Sequence, residues 1–186
     1  GGSIKSNGVY DQVAEALSEH TWFEFSGIEP NPSYDTLMKA QDLIRKHDID
    51  FLLAVGGGSV VDGTKFIAAA ALFEGDDPWD LVAKGKPIKQ ALPIGCVLTL
   101  PATGSESNTG AVVTRDGNKL PFQSPLVRPL FAVLDPAVTL SLSDRQISNG
   151  VVDAFVHTME QYLTYSVNGK VQDRFAEGLL LKLIEE

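Results

Sequence analysis

Two rhythms of apolar and polar positions run along this chain, and each dictates an element. The stretch "GVYDQVAEALSE" (8–19) carries the helical period, as does 33–47, where Tyr34, Leu37, Met38 and Ile44 fall on one face. Asn31 or Ser33 stands where it caps the second of these helices. Apolar runs bounded by turn residues mark strands: "TWFEFSG" (21–27), residues 51–55, "PIGCVLTLPA" (93–102) and "PLFAVLDP" (129–136), the last stopped by Pro136. A helix over 60–73 follows the second of them. The segment "GAVVTRDGNKLPFQ" (110–123) reads as a hairpin turning at Asp116-Gly117-Asn118. Strands alternating with helices of this length predict an α/β fold on a parallel sheet.

Beyond Pro136 the pattern becomes wholly helical. Ser143 and Gln146 have capping-box spacing ahead of a stretch over 144–165, and Asn168-Gly169 separates it from a helix over 170–186. The expected division is an α/β domain over 1–140 and the start of an all-helical domain over 141–186. No internal repeat or low-complexity linker interrupts either. Both ends read as cut. The first element is a helix with no strand to feed it, and the final "GLLLKLIEE" presents an apolar face without a cap. The expectation is therefore a fragment that lacks the first strand of its sheet and the rest of its helical domain.

Composition narrows the classes. With 186 residues, 44% of them hydrophobic, the chain is long enough for one full core and part of a second. A formal net charge of −9 argues against a nucleic-acid backbone or an anionic membrane as partner. It does not argue against a small anion, because a local nest of amides acts independently of net charge. Cys96, the single cysteine, lies in an apolar run; it forms no internal disulfide and reads as a small buried hydrophobe. With no signal-peptide pattern and no long apolar span, a cytoplasmic setting is expected.

The first chemistry lies in "FLLAVGGGSVVDGTKFIAAAA" (51–71), a buried strand, three glycines and a helix in one run. Glycine is the costliest residue to order, so Gly56, Gly57 and Gly58 need a reason. A backbone without Cβ atoms lets ligand oxygens touch amide groups, and the helix starting near Ser59 adds the positive end of its dipole. Phosphate suits that geometry, although a tight strand-to-helix turn explains the same glycines. Two better-known motifs fail. A dinucleotide fingerprint needs a glycine where Val61 stands, and a Walker A loop needs Lys before Thr, whereas Thr64 precedes Lys65. A P-loop nucleotidase is thus only a runner-up.

A second constellation lies on "NGVVDAFVHTMEQYLTY". Asp153 and His157 are four apart, so they project from one helical face and can serve as two of the typical four ligands of a divalent ion. The bland alternative is a solvated face, and pattern alone favours it. Val151, Val152, Phe155, Val156, Met159, Tyr162 and Leu163 fill one arc, with Asp153, His157, Glu160 and Thr164 opposite. His20 and His47 read as surface residues.

In that order, "GGGSVVDGTKFIAAA", "LPATGSESNTGAVVT" and "NGVVDAFVHTMEQYL" resemble the iron-containing (group III, metal-dependent) alcohol dehydrogenases, in particular the NADPH-dependent butanol dehydrogenase and aldehyde reductase branch. The resemblance covers essentially the whole chain and implies a Rossmann-like nucleotide-binding domain, a helical domain and an active site in the cleft between them. Members are about twice as long. By motif, the resemblance puts Gly57, Gly58 and Ser59 on the cofactor pyrophosphate, Asp62 at its nicotinamide side, and Thr99 and Thr103 against the cofactor. Gly110 and Lys119 would complete that wall. Asp153 and His157 match the first two ligands of a catalytic Fe2+ or Zn2+, with two further histidines expected outside this chain.

The implied reaction is hydride transfer between NADP(H) and a small aliphatic aldehyde or alcohol, in a homodimer. NADP is expected over NAD because "GGSIKSNG" holds no acid to repel a 2′-phosphate, and Gly2, Ser3 and Lys5 or Ser6 stand where they would bind one. A glycerol-dehydrogenase-like or dehydroquinate-synthase-like relative shares part of the pattern, but the "ATGSE" and "VDAFVH" forms favour the alcohol dehydrogenases. A non-catalytic nucleotide-binding module is the alternative of a different class. With only two protein ligands for the metal, residues 1–186 alone are expected to lack turnover.

Overall fold

A computed structural model describes residues 2–164 and 168–185. A 3-10 turn, Gly2–Lys5, leads into α1 (Val9–Ala16), α2 (Tyr34–His47), β1 (Leu52–Gly57), α3 (Gly58–Ala71) and the short α4 (Asp80–Ala83). β2 (Ile94–Leu100), β3 (Gly110–Arg115), β4 (Asn118–Gln123) and β5 (Phe131–Val133) follow, then α5 (Asp144–Tyr162) and α6 (Lys170–Glu185). The chain divides into two compact units, Gly1–Leu140 and Ser141–Glu186.

In the first unit β1, β2 and β5 form one sheet in the order β1-β2-β5, with both pairings parallel. Parallel neighbours need a crossover, and α3 supplies it between β1 and β2. Nine residues of α3 are buried, including Val61, Phe66 and Ile67, because the helix is covered by the sheet, by α2 and by β3. A helix apolar nearly all round belongs in such a place. Phe66 anchors the junction, meeting the rings of Tyr34 and Phe122 edge-on at 5.8 and 6.0 Å between centroids. Cys96 is fully buried on the central strand, opposite Ala54 and Ala132.

The hairpin β3–β4 pairs Gly110 with Gln123 through to Arg115 with Asn118. Its two-residue turn puts Asp116 at φ 51° and Gly117 at φ 77°. Positive φ at both centres is what a type I′ turn requires, and its twist matches that of the strands. For α2 the cap is Ser33, whose side chain accepts from the Thr36 amide, while Asn31 sits two residues earlier at φ 56°.

Three sequence expectations need correction. The run 21–27 is not a strand: no described strand lies alongside it, and a strand without a ladder has nothing to hold it extended. Phe23 stacks instead on the half-buried His47 ring at 3.8 Å between centroids. Helix α3 begins at Gly58, two residues ahead of the expected 60, so the glycines themselves form the strand-to-helix junction. Lys5 does not stand free for a phosphate, since its ammonium is 2.8 Å from a carboxylate oxygen of Glu24. α4, with four residues, is too short to show a period and has no signature in the sequence.

The second unit is the pair α5 and α6. The capping box is complete: the Ser143 side chain accepts from the Gln146 amide, and the Gln146 side chain accepts from the Ser143 amide. Tyr162 on α5 donates to Glu177 on α6 at 3.1 Å. No residue of either helix is buried; Val152, Leu163, Phe175, Leu179 and Ile184 are exposed. Residue 165, the expected end of the first helical stretch, lies outside the described residues, as does residue 186. Among the described residues, no helix is long and apolar enough to cross a membrane.

Candidate functional site

The N-terminus of α3 opens onto a cavity of about 720 Å³ lined by Gly58, Ser59 and Asp62 on one side. Thr103, Ser105 and Asn108 line it from the loop after β2, Gly110 and Lys119 from the hairpin β3–β4, and Asn31 and Pro32 from the segment ahead of α2. Six of the residues singled out by sequence thus meet in one pocket: Gly58, Ser59, Asp62, Thr103, Gly110 and Lys119. Gly57 and Thr99 are not among the lining residues. Thr99 is buried at a register slip, where Gly56 faces Leu98 but Gly57 faces Leu100. It is the extra residue of a bulge, which bends the strand end at the pocket. Gly2 and Ser3 fall in the opening 3-10 turn, and their side chains lie outside what the structure describes.

The glycines do two different things. A Cβ on Gly58 would lie 2.7 Å from Thr103 Oγ1 and 3.2 Å from its Cγ2, so Gly58 is needed for the Thr103 loop to pack against the helix start. A Cβ on Gly57 would make only ordinary contact with Leu100, at 3.5 Å. Close approach of the Thr103 side chain is one reason why Gly58 carries no Cβ. What suits an anion is the helix end itself. Gly57, the N-cap, has no side chain to bond the first-turn amides, which leaves them for a ligand.

Asp62 holds this wall together. Its Oδ1 accepts from the Ser105 hydroxyl at 2.6 Å and its Oδ2 from the Val112 amide at 3.0 Å. One carboxylate thus ties α3 both to the loop after β2 and to β3. Ser105 is fully buried, so its hydroxyl serves that bond. Each carboxylate oxygen retains acceptor capacity towards the cavity.

Lys65, one turn on, is not among the lining residues but bonds two that are. It is fully buried, and its ammonium donates to Asn108 O (3.0 Å), Asn108 Oδ1 (2.9 Å) and Gly110 O (2.7 Å). Burial pushes its pKa below the usual lysine value, against the opposing pull of Asp62, the Cys96 thiol and Glu106. Burial likewise raises the Cys96 thiol to about 11, so this cysteine is inert at neutral pH. Sequence reasoning met Lys65 only as a displaced Walker lysine. The stronger signal was a lone charge inside "TKFIAAAA", which marks a buried ammonium in need of acceptors.

Asp153 and His157 do stand together on α5, with Asp153 Oδ1 3.7 Å from His157 Nε2. Glu160 Oε2 lies 3.7 Å from the other ring nitrogen. All three side chains are more than half exposed. Among the described residues no group of three or more His, Cys, Asp or Glu is placed to hold a metal ion. The carboxylate and imidazole fit two positions of a divalent centre, being donors of the right kind on one face.

The sequence of residues 1–136 matches the family model for iron-containing alcohol dehydrogenase, and the chain belongs to that family. Over its whole length it is 62% identical to the NADPH-dependent aldehyde reductase YqhD of Escherichia coli, covering 49% of that protein. It is 48% identical to a probable NADH-dependent butanol dehydrogenase of Bacillus subtilis, again covering 49%. The crystal structure of the E. coli protein superposes with a TM-score of 0.93, covering all of this chain and 48% of that one. The NADH-dependent butanol dehydrogenase A of Thermotoga maritima superposes at 0.90 with 41% identity, covering all of this chain and 47% of that one. The chain thus spans about half the length of the relatives it matches.

Proposed function

We propose that this chain carries the cofactor-binding half of a metal-dependent, NADPH-linked aldehyde reductase or alcohol dehydrogenase acting on small aliphatic substrates. The observation that carries the reading is the uncapped N-terminus of α3 opening onto the pocket. Its free amides and dipole end suit a pyrophosphate, with Gly57, Gly58 and Ser59 at that position. Thr103 lies against the cofactor from the facing loop, with Thr99 supporting it from the strand below. Gly110 gives access close to the backbone, and Lys119 brings a positive charge to the wall. Asp62, fixed by Ser105 and Val112, orients the nicotinamide end.

Asp153 and His157 supply two ligands of the catalytic ion, and both residue types accept iron or zinc. Held by these two residues and others, a divalent ion would supply Lewis-acid polarisation of a substrate carbonyl. NADPH is favoured because the E. coli relative at 62% identity is named for it, whereas the B. subtilis relative at 48% is named for NADH. Gly2, Ser3 and Ser6 are the candidates to meet a 2′-phosphate, on the family likeness, with Lys5 paired to Glu24 beside them. The working protein is taken to be a cytoplasmic homodimer, on the family likeness.

Two experiments test this. Titrating the chain with NADPH and with NADH should give the lower dissociation constant for NADPH, and a preference for NADH overturns the cofactor choice. In the longer protein that contains this span, deuterium at the transferring position of the cofactor should appear in the alcohol product. Unlabelled alcohol rules out direct hydride transfer.

A further inference from the structure

We infer that Lys65 is the positioning residue of the pocket: its buried ammonium fixes the Asn108–Gly110 wall opposite the start of α3 and so sets the affinity for the cofactor. Only the second half of this inference rests on the NADPH reading above. An ammonium has three N–H donors and no acceptor. Lys65 spends all three on one short segment, the carbonyls of Asn108 and Gly110 and the Asn108 side-chain oxygen. The same side-chain oxygen accepts from the Gly110 amide at 3.0 Å, and the Asn108 amide group reaches the Thr103 carbonyl at 3.4 Å. One charge therefore reaches Thr103, Asn108 and Gly110, all of which line the cavity.

Packing does not explain a lysine here. The site is wholly buried within an apolar helix, and a methionine of similar length would fill it without desolvating a charge. Among the described residues no carboxylate forms an ion pair with Lys65. Its charge is met by carbonyl dipoles, so the loop rather than an acid holds it. Within "SESNTG" (105–110) the amides of Ser107 and Asn108 turn back onto the Gly104 carbonyl, while Asp62 holds Ser105 and Gln123 holds Thr109. The tie from α3 to Asn108 and Gly110 is Lys65.

The test compares Lys65→Met with Ile67→Val, a control that loosens the core two residues away without removing a hydrogen bond. Hydrogen exchange by mass spectrometry should show residues 103–112 exchanging about tenfold faster in Lys65→Met, the scale of one net hydrogen bond, while α2 keeps its rates. NADPH should bind about tenfold more weakly to the folded Lys65→Met protein and unchanged to Ile67→Val. Faster exchange spread evenly over the unit overturns the inference, as does an NADPH affinity equal to that of the control. Should the unsubstituted chain fail to bind NADPH, the cofactor reading fails and the exchange pattern alone decides the role of Lys65. Should Lys65→Met not fold, Asn108→Ala, at an exposed position, removes one of the three acceptors. It must loosen the same segment, and wild-type protection there overturns the inference.

Discussion

Tyr34 donates a 2.6 Å hydrogen bond to Oδ1 of Asp77, joining α2 to the loop before α4. Arg115 on β3 closes the triangle, with NH1 2.7 Å from Asp77 Oδ2 and its guanidinium 4.3 Å above the Tyr34 ring. Burial alone would raise the Asp77 pKa, but bonds from Tyr34, Arg115 and the Trp79 amide outweigh it and bring it down to about 2. For Tyr34, burial and the Asp77 bond act together and raise the phenol to about 12. Tyr34→Phe should cost about 1 kcal/mol of stability, the net worth of one hydrogen bond, measured by urea unfolding.

The same carboxylate predicts an acid limb. A depressed folded pKa means that Asp77 contributes fully above its unfolded value near 3.9, and that the contribution disappears as pH falls through about 2. The stability gap between wild type and Asp77→Asn should be constant above pH ~5 and narrow progressively towards pH ~2. A gap that does not change across that window disproves the assignment. Asp77 is partly exposed, so the gap should be modest and reduced by salt.

Gly58→Ala should force Thr103 outward, because the added methyl would sit 2.7 Å from its hydroxyl oxygen. Loss of about 1–3 kcal/mol is expected, as for other overpacked sites, with weaker NADPH binding. Thr103→Ala in the same chain removes the clashing atoms, so the double variant should be more stable than the sum of the two effects allows. Strict additivity would mean that the contact is not the cause.

Ser105→Ala removes the 2.6 Å donor to Asp62 Oδ1, on a half-buried side chain that lines the cavity. The expected cost is about 1 kcal/mol, the net worth of one hydrogen bond, since water in the cavity reaches the freed oxygen. Ser105→Thr keeps the hydroxyl and should recover part of it if the site admits one more methyl. Calorimetric melting of the three proteins reads this directly.

Metal should bind weakly to this span. Two half-exposed donors form an open site, and a catalytic divalent centre normally needs three or more ligands. Zinc titrated calorimetrically should give a small, chelator-reversible signal that disappears in His157→Ala. With zinc or ferrous iron, NADPH and butanal, residues 1–186 alone should show no turnover. A rate near that of the full-length E. coli relative sinks this prediction.

Where periodicity was long or a turn was chemically defined, the sequence was legible. The Ser143 capping box, the Asp116-Gly117 turn and the α2 stripe through Leu37 each declare themselves locally. The glycine junction and the hydroxyl-rich loop that faces it were visible as motifs, and they do meet in one pocket. What local pattern could not show is who contacts whom across forty residues. Asp62 with Ser105, Lys65 with Asn108 and Tyr34 with Asp77 are each 43 apart in sequence. The run 21–27 misled for the same reason, because its aromatic and β-branched residues satisfy a strand's composition while its ladder depends on a partner elsewhere.

The parallel sheet also fixes an order of events. Leu52 faces Ile94 across 42 residues (94 − 52), whereas Arg115 faces Asn118 across a two-residue turn. Loop-closure entropy makes the hairpin the early event and the parallel pair the late one. Until β1 and β2 close around α3, the Lys65 ammonium still has water for company, and its dehydration belongs to the last stage of assembly. A whole chain refolding from denaturant should therefore form the hairpin bearing Lys119 before the start of α3 is held in place, and should become able to retain a nucleotide only when β1 and β2 pair.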